Sequence, residues 1–114
     1  MQSQRQVILC PIEDIDPEHG REVQVEVSGR SEGLALFRLG ERVVAYRNIC
    51  PHQGRALSWA PGEFLCEPDG SLVCPHHGAR FELVTGRCIA GPCAGSSLSE
   101  VTIRLENGMV WLES

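Results

Sequence analysis

Two short segments of this chain bring sulfur and imidazole together at spacings suited to metal. Cys50-Pro51-His52-Gln53-Gly54 offers Cys-x-His, and Cys74-Pro75-His76-His77-Gly78, with 21 residues between His52 and Cys74, offers Cys-x-x-His. Between them they hold three of the four histidines and two of the six cysteines. Each supplies one thiolate and one imidazole, close enough to share a loop. A Pro after each Cys and a Gly shortly after each His favour a tight turn whose backbone N–H groups can point inward. Two Cys and two His suit either one zinc ion or a 2Fe-2S cluster with the thiolates on one iron and the imidazoles on the other. Structural zinc sites usually separate paired ligands by two to four residues, and Cys-x-His is tighter than that. The spacing therefore favours the cluster. Zinc, or buried thiols beside incidental histidines, are the alternatives. The candidate ligands are Cys50, His52, Cys74 and His77.

The elements that must position them are strands. Glu22-Val23-Gln24-Val25-Glu26-Val27 alternates polar and apolar without a fault, as a strand with one buried face does. Residues 34–39 and 43–49 are apolar-rich runs joined by Gly40-Glu41-Arg42, which predicts a hairpin. Val101, Ile103 and Leu105 alternate with Thr102, Arg104 and Glu106, and Asn107-Gly108 then predicts a tight turn into a partner strand over 109–112. No segment keeps a 3.6-residue apolar period; residues 55–59 allow one turn at most, ending at Ala60-Pro61-Gly62.

From Cys50 to about Ser97 the chain is crowded with Gly, Pro, Cys and His. Its strand-like pieces are short, at 64–66, 72–74 and 80–84, with Glu67-Pro68-Asp69-Gly70 as a turn between the first two. The predicted fold is all-β: a single domain over 1–114 whose scaffold presents a metal-binding subdomain, about residues 48–97, on loops.

The pair Cys-x-His … Cys-x-x-His-Gly resembles the signature of the Rieske family. Phe81 and Thr85-Gly86 resemble the stretch after that family's second motif, and Gly91-Pro92 resembles its proline loop. The resemblance runs from about Val7 to Leu112. It implies a β-sandwich or barrel with one 2Fe-2S cluster at the tip of a smaller subdomain, and electron transfer as the activity. Gly54, Gly78 and Gly91 are then the loop residues that let backbone approach the cluster, and Pro92 its shield from water. Two ferric ions, two sulfides, two thiolates and two neutral imidazoles sum to zero charge, whereas four thiolates would leave minus two. Histidine ligation therefore raises the potential. Reduction favours protonation of the ligating imidazoles, so electron and proton affinity should be coupled.

Members of the family in cytochrome bc complexes carry an extra cysteine in each cluster loop, joined as a disulfide, and hydroxyl side chains near the cluster. The matching positions here are Arg55 and His76, then Ala79 and Phe81. Neither disulfide nor hydroxyls are available, which places the expected potential near the low end of the Rieske range, about −150 mV. The chain thus resembles a soluble Rieske ferredoxin, an electron carrier rather than an enzyme. The implied partners are a flavin reductase as donor and a ring-hydroxylating oxygenase as acceptor. A small subunit of a larger reductase such as assimilatory nitrite reductase is the alternative. A redox or iron sensor is a third reading, supported only by the leftover cysteines. An oxygenase proper needs a second iron, normally held by two His and one carboxylate, and only His19 and His76 would remain for it.

Cys10, Cys66, Cys88 and Cys93 read as small buried hydrophobes, with a Cys88–Cys93 disulfide as the alternative. His76 reads as a rim residue or a partner contact. His19, in Asp16-Pro17-Glu18-His19-Gly20, reads as solvated, and Trp59 and Trp111 as core or subdomain packing. The net charge of −5 argues against nucleic acid and is compatible with docking on a basic partner. No apolar run approaches the roughly 20 residues that cross a bilayer. No secretory or twin-arginine pattern opens the chain, so the expected compartment is the cytoplasm, without membrane attachment.

Overall fold

The computed structural model describes residues 7–27, 29–51, 56–60, 62–75, 78–91 and 95–113. Four consecutive buried residues, Leu34, Ala35, Leu36 and Phe37, set its layering. They lie in β3 (Arg30–Leu39), the middle strand of an antiparallel sheet with β2 (Arg21–Val27) and β4 (Arg42–Arg47). Leu34 and Leu36 enter one core with Ile15, Val25, Ala45 and Val110. Ala35 and Phe37 enter the other with Tyr46, Leu57, Phe64, Leu72 and Phe81. A strand covered on both faces has no solvent side, hence its unbroken apolar run.

A three-stranded sheet closes the first core, in the order β1 (Val7–Pro11), β10 (Met109–Leu112), β9 (Ile103–Glu106). Four short strands close the second: β5 (Leu65–Cys66), β6 (Ser71–Val73), β7 (Arg80–Glu82) and β8 (Cys88–Ala90), paired in that order. All pairings are antiparallel. Phe37 meets Phe64 edge-on at 5.2 Å between ring centroids, tying the middle sheet to the segment that enters β5. A 3-10 turn, Ile12–Asp14, follows β1. Among the described residues there is no α-helix, and no helix is long and apolar enough to cross a membrane.

The all-β expectation is met. Leu39 pairs with Arg42 across Gly40 and Glu41, closing the β3–β4 hairpin. Glu106 pairs with Met109 across Asn107 and Gly108. Both turn residues have positive φ, 55° and 75°, as a two-residue hairpin turn of the mirror-image type requires. Several boundaries shift by one to four residues from the pattern; in the middle sheet β3 begins at Arg30, and β4 ends at Arg47 although the apolar run continues to Ile49. The chain leaves the sheet there, with Ile49 37% exposed. The middle segment is also more regular than its composition suggests, since its short strands form one continuous sheet that includes β8. Residues 56–59 form no helix.

Candidate metal centre

Cys50 and Cys74 are 3% and 1% exposed and belong to the same apolar core, beside Leu57, Leu72, Ala79 and Phe81. Cys74 comes directly after β6, and Cys50 three residues after the end of β4. The second loop is closed by backbone: the Cys74 N–H donates to the Ala79 carbonyl at 2.8 Å, and the Gly78 N–H donates to the Cys74 carbonyl at 3.0 Å. Gly78 turns the chain with φ of 71°, a conformation costly to a side-chain-bearing residue, and faces open space where a Cβ would stand.

A third loop presses on the second. Gly91 has φ of 97°, and a Cβ there would stand 2.7 Å from the Ala79 Cα. Only glycine permits that approach. The base of this loop is pinned by the Cys88 N–H donating to the Ser96 carbonyl at 2.9 Å and by the Arg87–Ser97 bridge.

The first loop is closed differently, by a side chain. Asn48, 7% exposed, accepts the Leu57 N–H on Oδ1 at 2.7 Å. Its Nδ2 donates to Ser58 Oγ at 3.2 Å and to Glu22 Oε2 at 3.1 Å. Glu22 Oε1 accepts the Gly62 N–H at 2.8 Å, and Gln24 Nε2 donates to Glu22 Oε2 at 3.1 Å. The backbone N–H of Asn48 continues the sheet by donating to the Gly33 carbonyl at 2.9 Å. Neither Asn48 nor Glu22 stands out as a site residue in the sequence. Glu22 looks like the solvated half of an alternation, and Asn48 like the polar end of a strand. The available signal was parity: Asn48 shares a strand face with Val44 and Tyr46, which points it inward.

His52, Gln53, Gly54, Arg55, His76, His77, Pro92 and Cys93 lie outside the described residues, so the ligand expectations for His52 and His77, and those for Gly54, Pro92 and a Cys88–Cys93 pair, rest on sequence. Among the described residues no three His, Cys, Asp or Glu side chains converge as a metal site. What is described fits the expected group: two buried thiols in an apolar wall are soft donors of the kind iron–sulfur clusters take.

Other expectations divide. Cys10 and Cys88 are buried and Cys66 half-buried, with burial pushing the Cys10 thiol upward and the Cys66 thiol up to about 11. His19 is exposed and lies 3.5 Å from Asp16. Trp59 is a correction: it is 56% exposed and packs in no core. Its backbone N–H donates to the Glu63 carbonyl, and Leu57 and Phe64 on either side take the inward positions instead. Trp111 is half-buried; its indole N–H donates to the Glu106 carbonyl at 3.3 Å and the Arg104 guanidinium lies 5.3 Å from its ring.

A profile of the Rieske [2Fe-2S] domain matches residues 5–105. The chain belongs to the Rieske [2Fe-2S] domain family. A 3-phenylpropionate/cinnamic acid dioxygenase ferredoxin subunit from Shigella flexneri serotype 5b is 30% identical over 107 residues, covering 94% of this Rieske chain and 92% of that protein. The ferredoxin fold recurs in a complex of reduced oxygenase and oxidized ferredoxin in carbazole 1,9a-dioxygenase, at TM-score 0.72 and 25% identity over 97% of this chain and 94% of that one. A structure described as a nitrite reductase NADPH small subunit shares the fold at TM-score 0.66 and 22% identity, over 96% and 99%. The Rieske chain is therefore an electron carrier with a 2Fe-2S cluster.

Proposed function

We propose that this Rieske protein is the ferredoxin component of a ring-hydroxylating dioxygenase system. In this reading Cys50 and Cys74 hold one iron and His52 and His77 the other. The observation that carries the ligand reading is the burial of Cys50 and Cys74 in one apolar core, each at the mouth of a loop. The near end-to-end match to a dioxygenase ferredoxin subunit carries the choice of system.

When bound, the cluster takes up and releases one electron. The chain's own residues set how. Cys50 and Cys74 keep their sulfurs away from bulk water, with Leu72, Ala79 and Phe81 as the wall. The Gly78 turn and the Gly91 approach hold two loops against each other at Ala79. Ala79 and Phe81, both 0% exposed, offer no hydroxyl, so no side-chain O–H at these positions stabilises added charge and the potential falls near the low end of the family range. The chain has no substrate chemistry of its own. It works in the cytoplasm, receiving electrons from a reductase and docking on the oxygenase through the edge near His52 and His77.

An EPR-monitored redox titration of anaerobically purified protein tests this reading. The expected result is a rhombic 2Fe-2S signal, averaged g below the free-electron value, appearing at about −150 mV. The same signal at strongly positive potential would overturn the argument from Ala79 and Phe81. A colourless protein containing zinc would overturn the ligand reading altogether.

A further inference from the structure

Among the described residues three loops are pinned at their bases, and one pin differs in kind. The loops after Cys74 and Cys88 are closed by backbone hydrogen bonds, which survive most substitutions. The loop after Cys50 is closed through the Asn48 side chain. Its Oδ1 takes the N–H of Leu57 at 2.7 Å, while its Nδ2 reaches Ser58 Oγ and Glu22 Oε2. Glu22, on β2, holds the far side of the same segment through the Gly62 N–H at 2.8 Å. The middle sheet makes room for this network. Gly33 lies beneath it on β3, and a Cβ there would stand 3.2 Å from Gln24 Nε2 and 3.3 Å from Glu22 Oε2.

We infer that Asn48 and Glu22 are positioning residues for the first cluster loop: a side-chain brace on the middle sheet that fixes where the segment carrying Cys50 and His52 leaves and rejoins the core. The inference rests on the reading of Cys50 as a ligand. Its physical content is directional. Asn48 must accept from Leu57 and donate to Glu22, whereas Glu22 must accept from both Asn48 and Gly62. Asn48→Asp would keep the first bond and turn the second into two facing carboxylates. Adding Glu22→Gln reverses the polarity of the pair: the new amide nitrogen donates to the new carboxylate, the amide oxygen still accepts from Gly62, and Gln24, whose Nε2 donates to the replaced oxygen in the parent, turns its amide over to accept there instead. The brace is then rebuilt with the proton on the other partner, which a double-mutant cycle reads out.

The experiment follows iron release from the purified holoprotein to excess chelator, with EPR of the reduced protein as a second readout. Asn48→Asp is expected to release iron faster by about tenfold, the order expected for one lost buried hydrogen bond, and to broaden or shift the g values. Asn48→Asp with Glu22→Gln should return to within about threefold of the parent. Val110→Ala, which opens the opposite core, is the control: it should lower the melting temperature while leaving g values and release rate unchanged. The inference fails if Asn48→Asp holds its iron like the parent, if the double variant does no better than the single one, or if Val110→Ala speeds release as much. Cys50→Ala separates the two levels. If it keeps a full cluster with the parent spectrum, the ligand reading has failed. If it loses or alters the cluster while the Asn48 and Glu22 variants behave like the parent, only the brace has failed.

Discussion

Cys66 shows how far one side chain's surroundings decide its chemistry. It ends β5 half-buried, and burial, followed by the negative charge of Asp16, moves its thiol from an ordinary 9.0 up to about 11. A raised folded-state value means the neutral thiol is favoured in the native chain. The contribution to stability is full below pH 9.0 and is lost as pH rises through about 11, because the unfolded chain gives up its proton first. The melting temperature should therefore fall across that window, and Cys66→Ala should make the fall shallower without abolishing it, since burial pushes Cys10 the same way. At pH 8 the thiolate fraction, and with it the rate of iodoacetamide labelling, should lie about a hundredfold below that of a cysteine peptide. Labelling of Cys66 at the peptide rate, read by mass spectrometry, would show it to be a reactive thiol. That outcome would revive the redox-sensor reading that its burial argues against.

At the scale of elements, backbone conformation and contact separate two glycines that look alike in sequence. Gly108 and Gly86 both sit in turns with positive φ, 75° and 80°. Gly108 has open space where a Cβ would go, whereas a Cβ on Gly86 would stand 2.8 Å from Tyr46 Cε1. That ring is held in place by its hydroxyl donating to the Leu83 carbonyl at 2.6 Å. Gly108→Ala should cost about 1 kcal/mol, the left-handed backbone penalty alone. Gly86→Ala should cost about 2 to 4 kcal/mol, because overpacking adds to it. Urea midpoints would tell them apart, and equal losses would mean that Tyr46 yields. The Asn107-Gly108 turn was legible in sequence because both of its requirements, positive φ and a two-residue gap, are local. The same holds for β2, whose alternation is intact from Glu22 to Val27. Other elements were not legible. β1 is five residues ending in Pro11, without alternation, and exists because β10 pairs with it from the far end of the chain. β8 is three residues hemmed by glycine and proline, and exists because β7 does. The candidate site divides the same way. The Cys and His spacing stands in the sequence, but the partners that make Asn48 and Glu22 matter are backbone N–H groups of Leu57 and Gly62, which no residue type advertises.

On the scale of the whole molecule, the middle sheet carries two cores of different dependence. The core containing Ile15, Val25, Leu34 and Val110 draws on strands of four to ten residues and includes none of the expected ligands. The opposite core counts Cys50 and Cys74 among its members, and its cover is a sheet whose strands run two or three residues each. Strands that short hold themselves together poorly. Their order depends on the loops at their ends, two of which lead from Cys50 and Cys74. Removing iron from the holoprotein should therefore act unevenly. Amides of β5 to β8 should exchange with deuterium at least about tenfold faster, as expected of a region whose local opening becomes easier. Amides of β1, β9 and β10 should keep their protection. The middle sheet should divide by face only in its side chains, since its backbone hydrogen bonds are shared by both cores. Uniform loss across all three sheets would mean instead that the two cores fold as one cooperative unit. The cluster would then stabilise the whole chain rather than the half that holds it.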